Sequence, residues 1–185
     1  MKAVCTPVVG AFLLGIACGM LALGLIERRV VATEELRTAD FQAELEQIKG
    51  KLPDQAHAMQ DVAYHFTNLW FAGQKQHWDL AKFYLGESKS HLRWAVRIIP
   101  RRKDRAGQEI NLEAILQATE NGPLMQVEEA IAARDSERFD KAYRFTLETC
   151  YACHKTTDKP YLRPQIPTQP EVQIINFDPQ ADWPK

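Results

Sequence analysis

From Val4 to Ile26 an apolar run with interspersed glycines carries no charge, and it stops at Glu27, Arg28 and Arg29. A helix of that length crosses about 30 Å of hydrocarbon. A cleaved signal peptide would have an apolar centre of only about 7–15 residues and a small-x-small exit site, which does not stand out here. Residues 1–29 therefore read as an uncleaved membrane anchor. Lipoprotein processing at Cys18 is disfavoured by Gly15, which stands where a larger aliphatic residue is expected. Residues 30–52 contain no proline, and Phe41, Leu45, Ile48 and Leu52 recur at helical spacing. They predict a stalk helix with one apolar seam, either an ordinary amphipathic linker or a surface that pairs with a second copy or folds back.

After Pro53 the apolar positions settle into four stripes. Met59, Val62, Phe66, Leu69, Trp70 and Gly73 repeat every three or four residues and predict a helix over 54–72, with a break at Gly73-Gln74. Leu80, Ala81, Tyr84, Ser88, His91, Leu92, Ala95 and Ile99 trace a second stripe, ended by Pro100. Residues 101–111 read as a polar, basic loop around Gly107, and Asn111 caps a third helix through Leu112, Ile115 and Leu116, kinked or restarted at Gly122-Pro123. Asp135-Ser136 caps the fourth, which carries Phe139, Tyr143, Phe145, Leu147 and Cys150 to about residue 156. No strand pattern competes. The expected fold is all-α, with an antiparallel four-helix bundle over 53–159, since that buries all four stripes together. Residues 160–185 hold six of the ten prolines and little periodicity, so they predict an extended tail laid over the bundle.

A length of 185 residues allows one compact domain with accessories. The net charge of −1 offers no global attraction to nucleic acid, and nothing in the chain suggests substrate turnover. Cys5 and Cys18 lie in the apolar N-terminal run and Cys150 and Cys153 are close neighbours, so no disulfide framework is read from the four cysteines.

Cys150-Tyr151-Ala152-Cys153-His154 has the spacing of a haem c attachment site. Two thiols one helical turn apart can add to the two vinyl groups, and the next residue offers an imidazole to iron. A zinc site would want further ligands at recognisable spacing, and a thioredoxin-type pair would want a βαβ setting. The remaining alternative is a chance pair of small buried cysteines. Covalent haem attachment takes place outside the cytoplasm, so the domain is expected on the periplasmic side of the inner membrane. Lys2 before the span and two arginines after it would favour the opposite sense, but only weakly.

Residues 130–155, AIAARDSERFDKAYRFTLETCYACHK, resemble the closing part of the cytochrome c′ family. In that family an acidic cap, an aromatic-bearing final helix and a C-terminal CxxCH end a four-helix bundle. The resemblance covers the last two helices well and the first two by pattern alone. It implies a haem between helices, His154 as proximal ligand, and a residue of the first helix facing the other side of the iron. The anchor with its stalk and the proline-rich tail depart from the short members of the family.

A sixth ligand distinguishes a low-spin carrier from an open gas-binding site. A haem near the end of the last helix lies level with the N-terminal half of the first and the C-terminal half of the second. Met59 meets that requirement, and methionine-ligated relatives of cytochrome c′ use their first helix for this ligand. His65 and His91 are the alternatives, the latter equally readable as a buried histidine bonded to a carbonyl. Lys159 and Arg163 follow the motif closely enough to reach haem propionates, or else belong to a solvated tail. Arg97, Arg101, Arg102, Lys103 and Arg105 make a basic cluster that reads as a wet loop or as a dock for an acidic redox partner or anionic headgroups. Trp70, Trp78 and Trp94 read as core or haem-packing residues. The expected function is electron transfer by a membrane-anchored monohaem protein. The alternatives are a nitric oxide or carbon monoxide binder, and a haem subunit of a larger membrane complex or a homodimer.

Overall fold

The computed structural model describes residues 29, 31, 33–170 and 175–182 and divides into two compact units at the Leu52/Pro53 boundary. The expected anchor lies, but for Arg29, outside the described residues. Among the described residues no helix is long and apolar enough to cross a membrane. In the first unit, α1 is a continuous helix over 33–51 whose described residues are all exposed. The seam side chains Phe41, Leu45, Ile48 and Leu52 are exposed with the rest.

The second unit is mostly helical. Asp54 opens α2 (Gln55–Gln74) by accepting from the backbone N–H of His57, satisfying one of the free donors of the first turn. The helix runs past the expected break, because Gly73 is a packing residue rather than a stop. A Cβ there would overlap the ring of Phe139. The chain reverses instead at Gln76, which takes the left-handed conformation at φ 57°, and α3 (Trp78–Ile98) follows. With so short a connection the two helices lie antiparallel and pack along each other.

The expected polar loop is a small antiparallel hairpin, β1 (Arg101–Lys103) paired with β2 (Glu109–Asn111). Its turn is built by the Asp104 side chain accepting from Gln108 N–H at 2.8 Å and by Gly107 at φ 81°. Arg102 and Ile110 pair across it and turn inward, while Arg101 and Glu109 pair outside at 2.7 Å. Asn111 caps α4 (Leu112–Asn121), and the chain restarts at Pro123 as α5 (Pro123–Ala133). Asp135 then accepts from Glu137 and Arg138 N–H to open α6 (Ser136–Thr156).

Helix α6 packs chiefly on α5 and also touches α2. The core has an aromatic centre: Phe66 stacks on Tyr143 at 4.4 Å between ring centroids, and Trp70 closes on both Tyr143 and Phe139. The Tyr143 hydroxyl, buried, donates to the Phe66 carbonyl at 2.9 Å. Trp78 meets Phe139 edge-on, whereas Trp94 is exposed and carries Arg97 over its ring, so it is not a core residue. The described tail forms no helix, and Ile166, Ile175 and Phe177 pack against the core, Phe177 on Phe71.

Candidate haem cleft

The last turns of α6 face a cleft of about 710 Å³, lined by α2, α3, β1, α4, α5, α6 and the start of the tail. That volume lies in the range of about 300–1,000 Å³ typical of cofactor sites. One face of α2 supplies Met59, Val62 and Phe66, the end of α3 Leu92, Ala95 and Val96, and α4 Leu112, Ile115 and Leu116. Cys150, Cys153 and His154 line it from α6. It is open to solvent along α2, where Ala56, Gln60 and Ala63 are exposed.

Both thiols are free, one helical turn apart on the same helix face. Burial, with the neighbouring Cys153 adding to it, pushes the Cys150 thiol up to about 12. Burial also raises Cys153, against the opposing pull of Arg102 and Lys159. Neither is lowered as the thiol of an activated nucleophile would be.

The His154 ring is oriented by the tail. Its Nδ1 lies 2.7 Å from the Leu162 carbonyl oxygen. A carbonyl only accepts, so Nδ1 is the donor, and in the neutral ring the lone pair then stands on Nε2, the arrangement that a metal-ligating histidine needs. The turn that returns Leu162 is held by Lys159 N–H on the His154 carbonyl at 2.8 Å and by the Tyr151 hydroxyl on the Pro160 carbonyl at 3.2 Å.

Of the three candidate distal ligands, Met59 lines the cleft and His65 and His91 do not. At about 100° per residue, His65 lies about 120° around α2 from Met59, on the side that meets α3. There its ring stacks obliquely on that of His91 at 4.9 Å. On α3 the cleft is lined by Leu92, Ala95 and Val96 and not by His91. Lys159 and Arg163 both line the cleft at its tail side, Arg163 exposed and donating to the Pro160 carbonyl at 3.4 Å.

Arg102 is the residue that the linear reading misplaced. Within the basic cluster it alone lines the cleft, half-buried, and its Nε is buried without a hydrogen-bond partner. An unpaired buried guanidinium nitrogen is rare unless an anion completes it. The signal was present in Ile110, the one large apolar residue of a polar segment, which fixes the inward face of the hairpin. The hairpin itself is tied to the end of α6 by Arg105 N–H donating to the Asp158 carboxylate at 2.7 Å.

The residues present fit a haem c. Two thiols stand at the required spacing, an imidazole is held in the ligating tautomer, a thioether lines an apolar cleft, and a cation stands ready for carboxylates. The chain matches no family model, no curated protein and no solved structure.

Proposed function

We propose that the chain is a monohaem c-type cytochrome of the cytochrome c′ kind, its domain an antiparallel four-helix bundle with the third helix divided into α4 and α5. It acts as an electron carrier rather than an enzyme. The observation that carries this reading is the CxxCH motif at the end of α6, facing an apolar cleft with the His154 Nδ1–H donated to a carbonyl. Cys150 and Cys153 would hold the haem through thioethers, His154 would be the proximal ligand and Met59 the distal one. Arg102, with Lys159 and Arg163, would neutralise the propionates. The bound iron would supply one-electron chemistry between its ferric and ferrous states.

The chain's own contribution is to orient His154 through Leu162, to keep water from most of the cleft with aliphatic side chains of α2, α3 and α4, and to leave an edge open along α2. Such an edge suits electron exchange with a redox partner. The exposed cations Lys103 and Arg105 near the same end favour an acidic one. With residues 1–29 as anchor, the domain would work on the periplasmic face of the inner membrane.

Expression with the haem-attachment machinery is expected to yield coloured protein heavier than the bare chain by one haem, with a pyridine haemochrome spectrum of the two-thioether type. Cys150→Ser and Cys153→Ser are each expected to lose or alter that spectrum. Colourless protein of bare mass from the same expression would overturn the proposal. Met59→Ala is expected to turn the ferric spectrum from low-spin to high-spin and to let the ferrous form bind carbon monoxide. An unmodified protein that is already high-spin and binds carbon monoxide would instead favour the gas-binding reading.

A further inference from the structure

We propose that His65, Glu87 and His91 form a binding site for one divalent transition-metal ion, separate from the haem cleft. His65 projects from the middle of α2, and Glu87 and His91 stand one turn apart on α3, where those two helices pack together. One candidate ligand atom from each of the three lies within 4.8 Å of the others. Bonds of about 2.0–2.2 Å to a tetrahedral ion bring such atoms to about 3–3.5 Å of one another. Small side-chain rotations therefore complete the site without moving either helix.

Two features point to a ligand rather than to an ordinary polar cluster. His65 Nδ1 is buried and has no hydrogen-bond partner, an unmet polar atom of the kind folded proteins seldom keep. His91 is already held as a ligating histidine is held. Its Nδ1 lies 3.3 Å from the Asp61 carboxylate, while its Nε2 is 3.9 Å from Glu87. A carboxylate on the outer nitrogen is the usual support of a metal-bound imidazole.

Two imidazoles and one carboxylate select zinc, copper or nickel over calcium and magnesium, which prefer all-oxygen sites. Three protein ligands leave a fourth position for water. Asp61 is then a positioning residue.

The test is calorimetric titration of the full-length haem protein, stripped with chelator, with zinc chloride. One equivalent is expected to bind. His65→Ala and His91→Ala are each expected to weaken binding at least tenfold, and Glu87→Gln also to weaken it. Asp61→Asn is expected to cost about 10–100-fold through the orientation of His91. His57→Ala, at an exposed histidine elsewhere on α2, is expected to leave the isotherm unchanged. Glu87→Gln and Asp61→Asn lie on partly or fully exposed positions, so they report even where a histidine variant fails to fold. Absence of stoichiometric zinc binding, or binding retained in the His65→Ala/His91→Ala double variant, would overturn the site. The haem spectrum of the same samples is read separately and is expected not to change on zinc addition.

Discussion

Cys150 shows how a single side chain ties chemistry to folding. Its raised thiol value means that the folded haem-free chain holds that proton more tightly than the unfolded chain does. The associated stability is complete below the ordinary value of 9.0 and is lost as the pH climbs toward about 12. Denaturant midpoints of the haem-free protein are therefore expected to fall over that alkaline interval, and Cys150→Ala should flatten the decline; equal slopes for both proteins would count against it. Tyr143 carries a different kind of weight, since its hydroxyl is a buried donor with one partner. Tyr143→Phe leaves the Phe66 carbonyl short of that bond and is expected to cost about 1 kcal/mol of unfolding free energy, read from urea denaturation. If the cleft holds the proposed haem, the readout at Arg102 is its potential: Arg102→Gln would remove a cation from the cleft wall and should lower it, whereas an unchanged potential would return this residue to the solvent.

Gly73 and the hairpin show where helix and strand boundaries come from. A glycine near the end of a periodic stripe reads as punctuation when only neighbours in sequence are considered. In the folded chain it is the hollow into which Phe139 of α6 fits, so the helix continues and the reversal moves to Gln76. Gly73→Ala is expected to destabilise by about 1–3 kcal/mol through overpacking, with Phe139→Leu in the same chain restoring part of the loss in a thermal melt. A neutral Gly73→Ala would show that α6 is seated elsewhere. The hairpin escaped notice because its strands are three residues each and mostly charged, too short for a period of two to rise above the surrounding polarity. What stabilises it is non-local: the Ile110 side chain finds the interior, and Asp158 at the far end of α6 accepts the Arg105 N–H. The helix caps at Asn111 and Asp135, by contrast, were legible, because each side chain satisfies donors only two or three residues away.

Across the molecule, the tail joins the site to the core. Leu162 sets the His154 tautomer, and a few residues on, Ile166, Ile175 and Phe177 cover apolar surface that α2 and its partners leave open. Removal of residues 160–185 is expected to lower the melting temperature and, in the haem protein, to loosen the axial histidine, seen as a change in the ferric spectrum. A truncated protein with the melting point and spectrum of the full chain would reduce the tail to a passenger. Periodicity, caps and proline positions named the four helical stripes and the tail, and the five-residue motif carries the proposed chemistry, because all of these depend on residues within a turn or two of each other. The composition of the cleft did not follow in the same way. Met59 came to face the cleft, His65 and His91 were turned into the α2–α3 seam, and Arg102 was drawn from a basic loop to the cleft wall. Those outcomes depend on how each helix is rotated about its axis, and that rotation is set by which distant side chains, Phe139 against Gly73 and Tyr143 against Phe66, pack without leaving a void.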